Sequence, residues 1–307
     1  MAINFRNYTN QAGITKDYYL VRDFLIKLGY CEYTYVRWDW MATHGYLDKS
    51  ALANIGIWME NNEIVGVATF DCSLGKGFCL TLPDYAYLKK EMLLYSEGKL
   101  SKQGSFEIVI QDKDIVFQEI ASKFNYVATE NRELDSIFYL DQTPTDYQLP
   151  EGFHITTMQE TFDIKQYGSV LWKGFNHERD GEGEFKFTKE MEQQGKEEML
   201  RPNVELDLKV AVVAPNGNFV SYCGMWFDKE ARYAVIEPVA TDPQYRRMGL
   251  GKAAVLEGIR RVGEKGAKIA LVGSSQQFYY SIGLRPYSSS TISVSYTHLR
   301  AHETSAH

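Results

Sequence analysis

Residues 237–251 read EPVATDPQYRRMGLG, and residues 252–262 continue KAAVLEGIRRV. An apolar, strand-like run ends near Thr241, and Pro243 stops it because proline has no amide hydrogen for a sheet ladder. Arg246, Arg247, Gly249 and Gly251 follow at once. Ala253, Leu256, Ile259 and Val262 then recur at helical spacing. The two glycines let the backbone bend tightly and approach a ligand without Cβ interference. The helix start offers unsatisfied N–H groups and the positive end of the helix dipole. Arg246, Arg247 and Lys252 add positive charge at the same point. The combination reads as an anion site suited to a diphosphate, although a basic glycine turn before a helix also occurs as plain structure. It is neither the G-x-x-x-x-G-K-[ST] loop nor the G-x-G-x-x-G dinucleotide fingerprint, because the glycine spacing differs from both.

The rest of the chain sets the frame. A length of 307 residues is about twice the usual single domain, so two domains are expected. Hydrophobic residues make up 44% and charged residues 24%, an ordinary balance for a soluble globular protein. No apolar run reaches the roughly 18 residues of a membrane-spanning helix. The first residues, MAINFRNYTNQAG, lack a basic segment followed by an apolar one, so no secretory leader is expected. Cys31, Cys72, Cys79 and Cys223 form no C-x-x-C pair and read as reduced thiols of a cytoplasmic protein. A net charge of −7 argues against nucleic acid as the main partner and is compatible with a cationic substrate. No His/Cys/Asp/Glu grouping has metal-ligand spacing, so no metal is expected.

Element order repeats. The first half reads as a strand (3–8), a helix (16–29), a hairpin (55–71), a strand (77–82), a helix (84–95), a strand (106–111), a helix (114–126) and a strand (137–141). QTPTDYQLPEG (142–152) is rich in turn formers and reads as a linker. The second half repeats the order: strand (153–158), helix (162–175), a charged helix (185–200), hairpin (208–228), strand (233–241), helix (249–262), strand (268–273), helix (275–282) and a final strand from about Tyr287. Hairpins combined with strand–helix–strand crossovers predict an α/β fold with a mixed sheet covered by helices. The expected domains are residues 1–145 and 146–293.

Around the basic loop the pattern is more specific. V-x-T-x-P (Val239, Thr241, Pro243) is followed by Tyr245, R-x-x-G-x-G, a helix, a strand and F-Y-x-x-x-G (Phe278, Tyr279, Gly283). This resembles the GNAT acyltransferase superfamily, over about 150–293 and most strongly over 235–284. The resemblance implies two tandem GNAT-like domains, each a mixed, mostly antiparallel sheet flanked by helices. It implies acetyl-CoA as co-substrate, with its pyrophosphate held by Arg246, Arg247, Met248, Gly249, Leu250, Gly251 and Lys252. Its pantetheine arm would pair with the backbone of Val239, Ala240 and Thr241.

The resemblance places Tyr279 as the acid that protonates the coenzyme thiolate, with Tyr280 as the neighbour one helix position away. It places Glu237 as general base, directly or through water. Without that role Tyr279 is a packed helix aromatic and Glu237 an edge carboxylate ordering a strand end. Some members carry an asparagine on the last helix that this chain lacks, and Ser274 and Ser275 occupy that neighbourhood. Trp172, Phe175, Asn176 and His177 are candidates for an acceptor cleft, with His177 read as a polar wall residue. The acid-rich run 177–198 is either a lure for a cationic amine or a solvated helix face. The implied activity is acetyl transfer to the primary amine of a small molecule or peptide, in a ternary complex and by a monomer or homodimer. The alternative is a module that senses acyl-CoA without turnover.

In the first half the matching segment is FCLTLPDYAYLKKEMLLY (78–95), with no R-x-x-G-x-G. This half is expected to keep the fold without binding coenzyme. Arg37, Trp38, Asp39 and Trp40 read as buried packing that can also wall an acceptor site. Residues 294–304, VSYTHLRAHET, resemble the read-through translation of a transposase adapter. Residues 294–307 are therefore expected to be non-native, which removes His298, His302 and His307 from any ligand set.

Overall fold

The computed structural model describes residues 2–9, 11–43, 45 and 47–295. The adapter-like tail lies outside the described residues except for Val294 and Ser295. The described residues form two compact units, one from residues 2–134 with 288–295 and one from residues 135–287. Among the described residues no helix is long and apolar enough to cross a membrane.

The first unit runs β1 (Asn4–Asn7), α1 (Lys16–Leu28), α2 (Tyr35–Thr43), β2 (Gly56–Glu60), β3 (Glu63–Asp71), β4 (Ser73–Thr81), α3 (Lys89–Lys99), β5 (Glu107–Gln111), α4 (Ile115–Lys123) and the start of β6 (Tyr126–Tyr139). Its sheet has the order β1-β2-β3-β4-β5, continued by the returning segment 288–295 and then β6. The returning segment pairs antiparallel with β5, from Ser290 opposite Gln111 to Val294 opposite Glu107. Strands β4 and β5 are parallel and touch only at Lys76–Glu107 and Gly77–Ile108, so they part early.

Helix α2 escapes a periodicity reading. Tyr35, Val36, Trp38, Asp39, Met41 and Ala42 are all buried, so it has no single apolar stripe. Strand β6 is longer than the expected 137–141, because TENREL (129–134) carries solvent-facing polar residues that mask it. Expected helix 84–95 is a 3-10 turn over 83–88 followed by α3.

The second unit begins with the end of β6 and continues β7 (His154–Thr157), α5 (Ile164–Gly174), α6 (Lys189–Met199), β8 (Lys209–Val213), β9 (Phe219–Phe227), β10 (Tyr233–Thr241), α7 (Leu250–Glu264), β11 (Ile269–Val272), α8 (Gln277–Ser281) and the start of β12 (Arg285–Ser295). Sheet order is β6-β11-β10-β9-β8-β7. All neighbours here are antiparallel except β10 and β11. The units therefore divide inside β6, before the linker at 142–152, and the last described strand returns to the first unit.

Two apolar layers sandwich the second sheet. On one face Val255, Leu256 and Ile259 of α7 pack on Val212, Met225 and Ile236. On the other, Ile164, Tyr167 and Val170 of α5 and Met199 of α6 pack on Ala211 and Tyr222. Burying each such side chain stabilises the fold by roughly 1.5–3 kcal/mol.

The feature that builds a site is a split between two strands. Strands β10 and β11 run parallel only over Tyr233–Val235 against Ile269–Leu271. A register shift between Ile236 and Val239 then bends β10, which goes on pairing with β9 as far as Thr241. Among the described residues, no strand pairs with the other edge of β10 from the bulge onward.

Candidate functional site

A cavity of about 730 Å³ opens along that free edge, lined by Val239, Ala240 and Thr241 of β10 and by the loop that follows. Asp242 starts the loop by accepting a hydrogen bond from the Gln244 amide at 3.0 Å. Thr241 Oγ1 and Ser221 Oγ lie 2.9 Å apart and tie the strand end to β9. Arg247 (φ 64) and Gly249 (φ 81) both take left-handed backbone conformations, which turn the chain into α7. Such a conformation is costly for arginine and free for glycine.

Gly249 is the N-cap of α7, and no side chain caps this helix. Its first-turn amides therefore have no partner from the helix itself, and the dipole end is bare. The cavity is lined there by Arg247, Gly249, Leu250, Gly251 and Lys252. A Cβ on Gly249 meets no atom within 4 Å, so space lies open in front of this turn. A Cβ on Gly251 would sit 3.0 Å from Thr241 Oγ1 and 3.4 Å from the Phe278 ring, so this glycine permits close packing. Open space, unsatisfied amides and two free-standing cationic side chains suit a diphosphate.

The expected site residues are not treated alike. Tyr279 lines the cavity with only 7% of its surface exposed, and Tyr280 does not line it. Burial first, and then the neighbouring Cys223 and Glu237, push the Tyr279 phenol well above its ordinary range. It therefore holds its proton at neutral pH. Met248 is exposed and outside the lining. Arg246 lines the cavity, but its guanidinium is engaged by protein. Nε donates to Thr241 O at 3.1 Å, and Nη2 donates to Gly174 O at 2.8 Å and Asn176 Oδ1 at 3.0 Å.

Glu237 lies in the β10 bulge with an exposed side chain, outside the cavity lining. Its carbonyl accepts from the Trp226 indole at 2.9 Å. Its charge reaches both Tyr279 and the buried Lys209. Among the acceptor candidates, Phe175 and Asn176 line the cavity. Trp172 and His177 instead stack on each other, with ring centroids 4.4 Å apart, and His177 Nδ1 lies 2.7 Å from Glu182 Oε1. The acid run is a loop followed by a mostly exposed α6, although Glu198 accepts from buried Tyr167 at 2.9 Å. Gly174, Gln276 and Ser281 also line the cavity, whereas Ser274 and Ser275 do not. Nothing in local sequence marks Gly174, because its role depends on a contact with a strand far along the chain. Among the described residues no group of His, Cys, Asp and Glu is arranged to hold a metal.

The matching turn in the first unit is built differently. The 3-10 turn Pro83–Leu88 runs directly into α3, whose N-cap Leu88 has right-handed helical geometry. No residue between Thr81 and Lys90 has positive φ, so no backbone cradle forms. Lys89 is buried and paired with Asp114, with Nζ 5.0 Å from the Phe117 ring centre. Arg37 joins Asp71 at 2.7 Å and Glu133 at 2.8 Å, and Glu133 also holds Lys76 at 2.9 Å. Trp38 is fully buried, and Asp39 pairs with Arg22. The turn before α3 therefore lacks the left-handed backbone and the glycine that precede α7.

Comparison with known proteins agrees with this geometry. Residues 172–283 match the profile of the acetyltransferase (GNAT) family. No curated protein matches the chain in sequence. A GCN5-related N-acetyltransferase from Sphaerobacter thermophilus is similar in structure, at 15% identity and TM-score 0.58, with 95% of each chain covered. A tandem GNAT protein from the clavulanic acid biosynthesis pathway is similar at 9% identity and TM-score 0.60, over 96% of this chain and 98% of that one. A GNAT-family acetyltransferase from Colwellia psychrerythraea is similar at 10% identity and TM-score 0.56, over 96% and 99%. The family profile covers the split strands, the loop at 246–251 and Tyr279, so residues 172–283 are similar to the acetyltransferase (GNAT) family, and the chain has the fold of tandem GNAT proteins.

Proposed function

We propose that the second unit is an acetyl-CoA-dependent N-acetyltransferase that modifies the primary amine of a small molecule or peptide by direct transfer. The observation that carries this reading is the shared cavity. One space is lined by the uncapped α7 start, by Arg247 and Lys252, by the free edge of β10 and by the protonated Tyr279. The first-turn amides and the two cations suit the pyrophosphate, and the open strand edge suits an amide-bearing arm.

The bound coenzyme supplies an acyl group activated as a thioester. The chain's part is to orient the two reactants and move protons. Holding both in one cavity removes much of the entropic barrier. The amine nitrogen forms a bond to the carbonyl carbon as the carbon–sulfur bond breaks. Tyr279 Oη gives its proton to the departing sulfur. The amine sheds a proton, which Glu237 at the bulge takes directly or through water. The general acid contributes about 10²–10⁴-fold.

Among the described residues no carboxylate or histidine lines the cavity, which favours a second reading, binding without turnover. Calorimetric titration of coenzyme A and acetyl-CoA, followed by thiol release with a panel of amines, separates the two. Binding at one site per chain with amine-dependent thiol release is expected. Binding without release from any amine would leave the sensor, and no binding would remove both.

A further inference from the structure

The sequence pattern assigns Arg246 to the phosphate cradle together with Arg247, but the two side chains do different things. Arg247 makes no protein hydrogen bond or ion pair among the described residues. Arg246 is committed through Nε and Nη2 to three acceptors, Thr241 O, Gly174 O and Asn176 Oδ1. Two of these acceptors belong to the end of α5 and the residues just past it. The C-terminal carbonyls of a helix lack partners and carry the negative dipole end, so a guanidinium is a suitable cap. Asn176 has φ 67, a left-handed conformation that closes the helix and aims the following loop.

Further contacts converge at this junction. Gly174 packs with its backbone against Ala240 and Thr241. Lys173 Nζ lies 3.6 Å from Asp242 Oδ2, which is buried beside the same loop. Beyond Asn176 the loop folds back on α5, with Trp172 Nε1 donating to Gly183 O at 3.0 Å. Phe175 and Asn176, at the root of this loop, line the cavity opposite α7.

We infer that Arg246 is a positioning residue that fixes the Phe175–Asn176 wall of the cavity, and that it is not a ligand of the phosphates. Access of the acceptor to the cavity is then set by a side chain from inside the phosphate loop. This rests on the proposed function for the identity of the cavity's occupants, and on hydrogen-bond geometry alone for the clamp.

The test compares Arg246→Ala, Arg246→Lys and Arg247→Ala in the full chain, with coenzyme A as the titrant and amide hydrogen exchange over residues 174–183 as the local readout. Arg246→Ala is expected to speed exchange there at least 10-fold while changing coenzyme A affinity less than about 3-fold. Arg246→Lys keeps the charge but loses the fork that reaches three acceptors, so it should exchange nearly as fast as the alanine variant. Arg247→Ala should do the reverse, weakening coenzyme A about 10-fold with unchanged exchange. A 10-fold loss of affinity in Arg246→Ala that lysine rescues, with quiet exchange at 174–183, overturns the proposal and makes Arg246 a phosphate ligand. If wild-type protein binds no coenzyme A, the proposed function fails. The exchange comparison then still decides whether the clamp exists.

Discussion

Gly174 and Ala240 pack so closely that a Cβ built on Gly174 would lie 2.6 Å from the Ala240 Cβ and 2.9 Å from the Thr241 amide nitrogen. The end of α5 can approach the free edge of β10 only because position 174 has no side chain. That approach brings Phe175 and Asn176 into the cavity wall and the Gly174 carbonyl within reach of Arg246.

Gly174→Ala should therefore destabilise the second unit although alanine is the better helix former. The helix preference is worth about 0.5–1 kcal/mol in alanine's favour. Overpacking against backbone typically costs about 1–3 kcal/mol. A net loss of about 1–2 kcal/mol in denaturant unfolding is expected, with weakened coenzyme A binding. Unchanged stability and affinity would show that α5 has more freedom than this contact implies.

Tyr279→Phe should leave coenzyme A affinity within about 2-fold and lower turnover by about 10²–10⁴-fold. The pH dependence follows from the direction of the phenol's shift. Burial raises its pKa, so the proton-donating form persists as pH rises beyond the ordinary tyrosine range. No loss of rate from Tyr279 deprotonation is expected up to about pH 10, the unperturbed tyrosine value. Rates measured from pH 6 to 10 would place the acid elsewhere if wild type and Tyr279→Phe differ by less than 2-fold throughout.

How much of this was legible in sequence varies with the physics. The loop at 246–251 was, because glycines, arginines and a helix start are all local signals. Tyr279 was singled out only through the family resemblance; Tyr279 lines the cavity and Tyr280 does not. Glu237 lies exposed in the β10 bulge and outside the cavity lining, at a register shift that local sequence does not announce. Arg246 was assigned by motif to the phosphates, yet its partners Gly174 and Asn176 are some 70 positions away. Contacts of that range leave no trace in local sequence. Helix α2 and most of β6 were hidden for opposite reasons, the first buried over most of its circumference and the second largely solvent-facing.

Gly249→Val tests the cradle itself. Valine at φ 81 would be strained, since β-branched residues rarely adopt left-handed conformations. Gly249 lines the cavity, and the branched side chain would add bulk at a position where a Cβ now meets no atom within 4 Å. A strain cost of about 1–3 kcal/mol is expected, with loss of coenzyme A binding. The first unit shares no residue with this turn, so hydrogen-exchange protection of β3 and β4 should be unchanged. Retained affinity would show that the phosphates sit elsewhere.

Lys209 offers a test by pH. Its side chain is buried, with Nζ donating to Met225 O at 2.9 Å and lying 3.7 Å from the Trp226 ring centre. Burial, only partly offset by Glu198 and more distant acids, lowers its pKa from 10.5 to about 8. Below pH 8 both folded and unfolded chains carry the proton, and the folded state bears the full cost of a buried charge. Between pH 8 and 10.5 the unfolded chain binds more protons than the folded one, so stability rises with pH through this window. A shift of this size corresponds to about 3 kcal/mol. Lys209→Met removes the charge and keeps an unbranched apolar stem. It should be neutral or stabilising at pH 7. Its advantage over wild type should then shrink by about 2–3 kcal/mol as pH is raised from 7 to 10. Urea unfolding of both proteins at the two pH values measures this. A pH-independent difference between them would mean that Lys209 titrates in the folded chain as it does in water.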